Sequence, residues 1–98
     1  MHDLVKTLLE STNRYVGSRI QNLKHRIVYI DTLNQITLLM QEKIPLVEIK
    51  NEINELHYNL CNKYTNNIIF SEQKYCHLAF KHALDIIDSL SKRFGYDS

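Results

Sequence analysis

Two glycines and one proline in 98 residues leave this chain few places to turn. Sheet proteins spend glycine and proline on their many reversals, so this scarcity points to a few long elements joined by few loops. Apolar residues make up 44% and charged residues 23%, which suits a globular domain. A chain of this size buries about 60–65% of its unfolded surface, enough for one modest core. The expectation is an all-α fold: an antiparallel four-helix bundle forming a single domain over 1–98. Its helices are predicted at about 3–16, 19–41, 45–65 and 72–93, with a short tail at 94–98.

Periodicity places each helix. In the first, Leu4, Leu8 and Leu9 recur at helical spacing, Val5, Leu9, Thr12 and Val16 extend the stripe, and Asp3 is a candidate N-cap. Gly17-Ser18 reads as a left-handed stop followed by a new cap. No proline enforces that break, so one continuous helix from about residue 3 to 40 is the alternative. The second helix shows Ile20, Leu23, Ile27 and Ile30, then Asn34 where the next apolar residue belongs. Its stripe moves to Leu33, Ile36 and Met40, with Leu38 and Leu39 widening the face, and such a slip predicts a bend or a change of packing partner near Asp31 to Asn34.

Pro45 ends that element and opens the third helix, whose seam is Leu46, Ile49, Ile53, Leu56 and Leu60. Thr65-Asn66-Asn67 is a credible stop, because asparagine tolerates a left-handed cap. Phe70 is a candidate staple, Ser71 caps the fourth helix, and Glu72 favours its positive end. Cys76, Ala79, Ala83, Ile86 and Leu90 form the fourth seam, with Ile87 and Phe94 beside it. Lys81–Asp85 and Asp88–Lys92 are i,i+4 pairs, each contributing about 0.2–0.5 kcal/mol.

A net charge of +1 gives no overall field for nucleic acid or an anionic membrane, but the charge is segregated. Arg14, Arg19, Lys24 and Arg26 occupy residues 11–30 with no acid among them, whereas Glu42, Glu48, Glu52 and Glu55 dominate residues 42–55. These are either complementary faces of neighbouring helices or, for the basic run, a docking face. The N-terminal segment has neither a basic n-region nor a long apolar stretch, so no signal peptide is expected. Two cysteines fit reduced thiols in the cytosol.

His57, Cys61, Cys76 and His77 are zinc-type ligands. Cys76 and His77 are adjacent, though, and on a helix they point about 100° apart. No metal and no cofactor are therefore assigned, and ordinary half-buried thiols are the simpler expectation. Cys61 near His57 lacks an orienting third group for nucleophilic catalysis. His77 and His82 do not share a helix face, and His25, among basic residues, is expected to be solvated. No catalytic residue is assigned, and no nucleic-acid motif is present.

Two segments resemble the immunity proteins of pediocin-like (class IIa) bacteriocins, the enterocin A immunity group in particular. One is Ile44-Pro45-Leu46-Val47. The other is Tyr64-Thr65-Asn66-Asn67-Ile68-Ile69-Phe70-Ser71-Glu72, similar to the family's Tyr-Thr-Asn-basic-Ile-X-Phe-Thr/Ser turn, with Asn67 where a basic residue is usual. The ending Arg93-Phe94-Gly95-Tyr96 resembles the family's basic-aromatic-Gly-Tyr termini. About twenty residues carry the likeness. It implies a cytoplasmic, non-enzymatic four-helix protein that acts peripherally at the inner face of the membrane. Such a protein binds the bacteriocin-engaged mannose phosphotransferase permease and blocks pore leakage. Lys92, Arg93, Phe94 and Tyr96 are then candidate partner-binding residues, unless Phe94 and Tyr96 simply pack the tail onto the bundle. Arg14, Arg19, Lys24 and Arg26 are the candidate basic docking face. The alternatives are a regulatory or scaffold bundle binding a protein through a helix face, and a bundle enzyme with a cationic pocket.

Overall fold

A computed structural model describes the backbone of residues 2–65 and 70–94, and the side chains of residues 2–60 and 73–93. Four helices are present: α1 (His2–Gly17), α2 (Leu23–Leu39), α3 (Leu46–Thr65) and α4 (Phe70–Phe94). The all-α four-helix bundle expected from periodicity is the fold observed. The stop after Thr65 and the restart at Phe70 agree with the predicted junction. The stop proposed at Asn66 and Asn67, and the side chain of Phe70, lie outside the described residues. Ser71 is not the N-cap of α4, because the helix already begins at Phe70.

Contacts set the directions. Asn13 meets Asn34, Leu8 lines a groove with Leu90 and Arg93, and Lys50 meets Asp88. Thus α1 runs antiparallel to both α2 and α4, and α3 runs antiparallel to α4. The largest helix–helix interface joins α2 to α4, and α3 packs mainly on α4 with only slight contact to α2. The bundle is therefore a central α2–α4 pair flanked by α1 and α3. It measures 39 × 26 × 20 Å.

The chain does break between the first two helices, but not as glycine and serine chemistry suggests. Gly17 is the last residue of α1 and is buried. A Cβ there would stand 3.0 Å from Ile30 Cγ1 and 3.2 Å from its Cδ1. Close approach of α1 to α2, rather than a left-handed stop, is what needs glycine at this position. Ser18 does not cap α2; its hydroxyl donates to the Tyr15 carbonyl at 3.1 Å. The cap is Asn22, whose Oδ1 accepts from the Lys24 and His25 amides at 2.9 and 3.2 Å. Helix α2 thus begins four residues later than predicted. Asp3 is likewise not a cap, because α1 is already helical at His2.

The core contains the α3 seam largely as read: Leu46, Ile49, Ile53 and Leu60 are buried and Leu56 is half-buried. In α4, Cys76, Ala79, Ala83 and Leu90 are buried as expected, joined by Ile87 and by Phe80, which the seam omitted. Ile86 is only half-buried. The correction in α2 is larger. Ile20, Leu33, Ile36 and Met40 of the predicted stripe are buried, but Leu23 is 64% exposed, Ile27 49% and Leu38 60%, so these three face outward. The buried residues are Val28, Tyr29, Thr32, Leu33, Ile36 and Thr37, with Met40 just beyond. A helix covered on two sides needs a broad buried face, and here two threonines help to form it. The Thr37 hydroxyl donates to the Leu33 carbonyl and that of Thr32 to Cys76 Sγ, so both polar groups are satisfied.

Candidate functional site

Arg14, Arg19, Lys24 and Arg26 surround the turn between α1 and α2, but two of them hold the turn in place. The Arg19 guanidinium lies 3.7 Å from the Tyr15 ring centroid and donates to the Tyr15 carbonyl at 2.9 Å. It stacks on an aromatic face and satisfies a C-terminal carbonyl of α1 together. Arg26 Nε donates to the Ile20 carbonyl at 2.9 Å, fastening the loop back onto α2. Arg14 and Lys24 are exposed beside these staples, as are Tyr15, Leu23 and Ile27. The outcome is a mixed basic and apolar surface at one end of the bundle.

Lys92 and Arg93 are exposed in the last turn of α4, where their charge complements the helix dipole. Antiparallel packing puts them at the opposite end from the basic turn. The two candidate regions therefore do not form one surface. Arg93 borders a groove of about 320 Å³ between α1 and α4, lined also by Leu8, Asp85, Ile86, Ser89 and Leu90. The side chain of Phe94, and all of Tyr96, lie outside the described residues.

The zinc-type residues separate as the adjacent pair requires. Cys76 points into the core and is fully buried, its Sγ accepting from the Thr32 hydroxyl. His77 points outward to α3, where its Nδ1 lies 2.7 Å from His57 Nε2. The side chain of Cys61 lies outside the described ones. Among the described residues, no group of three or more histidine, cysteine or acidic side chains is placed to hold a metal.

Sequence reasoning missed three polar contacts between elements. His82 Nδ1 is 2.8 Å from the buried Tyr29 hydroxyl. Burial pushes the Tyr29 pKa up to about 12. Burial also lowers that of His82, the nearby Asp85 and Lys81 acting in opposite directions. Both groups are therefore neutral at pH 7, and the histidine tautomer sets which of the two donates. Second, Asp88 meets Lys50 of α3 at 2.7 Å, in place of the predicted pairing with Lys92. A cross-helix partner competes with an i,i+4 one, and single-helix spacing cannot reveal it. Third, His25 is half-buried and stacks on Tyr75 at 4.7 Å, correcting its reading as a solvated residue.

The acidic segment is not neutralised. A hydrogen bond with Glu42, then partial burial, then the charges of Glu42, Glu55 and Glu48 raise the Glu52 pKa above its ordinary value. No described helix is long and apolar enough to cross a membrane. No family model, curated protein or solved structure matches this chain.

Proposed function

We propose that this chain is an immunity protein against a pediocin-like bacteriocin. It protects a cell by binding the toxin-engaged mannose phosphotransferase permease from the cytosolic side. The observation that carries this reading is where the helix boundaries fall. Helix α3 starts at Leu46, inside Ile44-Pro45-Leu46-Val47, and the α3–α4 junction falls within residues 64–72. Both segments that resemble the family thus coincide with chain punctuation in a four-helix scaffold of the implied kind. The proposed contact is the end of α4, with exposed Lys92 and Arg93 leading into Phe94 and Tyr96. The action is steric and requires no catalytic group.

The test is expression in a bacteriocin-sensitive strain challenged with a panel of pediocin-like peptides. Tolerance to one or a few is expected, and unchanged sensitivity across the panel would reject the reading. A chain ending after Arg93 should keep its helix content and lose protection. Full protection by that shortened chain would exclude the tail from the contact.

One observation favours a second reading, a scaffold bundle that binds a protein through a helix face. Leu23 and Ile27 are one turn apart on α2, and both are largely exposed. Capture of a defined protein partner that is lost on Ile27→Asp, without any bacteriocin tolerance, would favour it. The cationic-pocket enzyme gains no support from the basic cluster, since Arg19 and Arg26 are engaged in fastening the turn.

A further inference from the structure

His57 and His77 stand twenty residues apart in sequence and come together across the α3–α4 interface. We propose that this pair is a binding site for a divalent transition-metal ion of the zinc, nickel or copper(II) class, a site independent of the immunity reading.

The geometry is close to that of two neighbouring ligands. His57 Nε2 and His77 Nδ1 are 2.7 Å apart. With metal–nitrogen bonds of about 2.0–2.1 Å, two imidazoles at 90–110° around one ion have their nitrogens roughly 2.9–3.4 Å apart. Admitting the ion needs a few tenths of an ångström of separation and a turn of the rings by roughly 35–45°, so that the two lone pairs converge on the ion rather than on each other. Contact between two ring nitrogens also requires at least one of them to lack a proton, so a lone pair is already directed at the point of contact. When a neutral pair binds an ion, the proton between the rings leaves that position. The ring that carried it takes up the tautomer protonated on its other nitrogen, and no net proton is released.

The ligands are held before any ion arrives. The His57 ring lies against Phe80, centroids 4.3 Å apart and planes 14° from parallel, and Phe80 is fully buried. The His77 ring meets His57 edge-on at 71°. The two rings stand on separate helices fixed by core packing, so little side-chain entropy is lost on ligation. The site opens into a depression of about 280 Å³ lined by Asn54, His57, Tyr58 and His77, with room for an ion that keeps its remaining waters.

The donor set selects the metal. Two imidazole nitrogens suit zinc, nickel and copper(II), whereas calcium and magnesium require oxygen ligands, and among the described residues no carboxylate lines the depression. With two protein ligands among the described residues, binding is weaker than in a closed four-ligand site and follows the order copper(II) above nickel and zinc.

The experiment uses the full chain without a histidine tag, titrated calorimetrically with zinc chloride and, separately, with copper(II). One ion per chain is expected. His57→Gln and His77→Gln should each weaken binding by about tenfold or more, the ratio that 1.4 kcal/mol represents. His25→Gln should leave it unchanged. Zinc should also raise the thermal midpoint of the wild-type chain, since it binds the folded state, and not that of the double variant. A readout needing no variant is the histidine ring NMR spectrum, where zinc should shift His57 and His77 together and leave His25 and His82 in place. Absence of stoichiometric binding, equal binding by both variants, loss in only one of them, or zinc-induced shifts elsewhere would each overturn the site.

Discussion

Helices α2 and α3 differ by three residues in length, yet α3 reads more fully from its pattern than α2. Helix α3 is a flank: it packs mainly on α4, shows water its other sides, and keeps one narrow apolar seam. Helix α2 is central, pressed between α1 and α4. Its buried surface is broad, two of the residues in it are threonines, and Leu23, Ile27 and Leu38 are left largely outside. Apolar periodicity reports the seam of a helix with one main partner. In α2 it finds Leu33, Ile36 and Met40 but misses Val28, Tyr29 and the threonines, because a face shared by two partners is wider than one apolar stripe.

Truncation in the two helices tests that contrast most strongly. Ile36→Ala in α2 and Ile53→Ala in α3 both remove fully buried side chains, so each should cost about 2–5 kcal/mol in urea denaturation. Leu23→Ala, at a position the simple stripe treats as core, should stay within about 0.5 kcal/mol of wild type. A large loss there would restore the periodic reading of α2.

Next in size is Gly17→Val. It forces a branched side chain against Ile30 where a Cβ already has only 3.0 Å, and should cost about 1–3 kcal/mol. Pairing it with Ile30→Ala should recover part of the loss if close approach is the cause. A loss unaffected by Ile30→Ala would point to backbone conformation instead.

Smaller again is the Tyr29–His82 contact between α2 and α4. Tyr29→Phe should cost about 0.5–1.5 kcal/mol at pH 7. His82 has a folded pKa below its ordinary 6.5, so the unfolded chain binds the proton more readily. Stability from this contact is complete above about pH 6.5 and is lost as pH falls through the lower folded value. Denaturation midpoints of His82→Gln should decline less between pH 7 and 5 than those of wild type. An equal decline would remove His82 as the source.

The smallest effect belongs to α3 and has the opposite sign. Glu52 has a folded pKa above its ordinary 4.5, so its contribution favours the fold at low pH and is lost as pH rises through the folded value. At neutral pH, Glu52→Gln should relieve repulsion from Glu42, Glu55 and Glu48 and leave the chain slightly more stable. A less stable variant would show that the carboxylate has a favourable partner.

Much of the fold was legible. Scarce glycine and proline, the Leu46–Ile49–Ile53 seam and the break after Thr65 are local signals, and local physics obeys them. The candidate contacts were legible only as charges. Sequence could not separate Arg19 and Arg26, spent on backbone carbonyls at the turn, from the exposed Arg14 and Lys24. It did group His57 with His77, but not apart from Cys76, which the fold turns into the core.

By itself, then, the order of residues determined the number of helices, nearly all of their ends, and the buried seam of α3. Each depends on backbone preferences or on a single amphipathic face, and both act over a few residues. Tertiary structure alone decided that α2 is central, that Gly17 serves a close approach, and that Tyr29 bonds His82. It also turned Asp88 from Lys92 to Lys50 and put the two basic regions at opposite ends. All of these depend on which faces meet when four helices share one core, and that choice minimises exposed apolar surface over the whole chain at once.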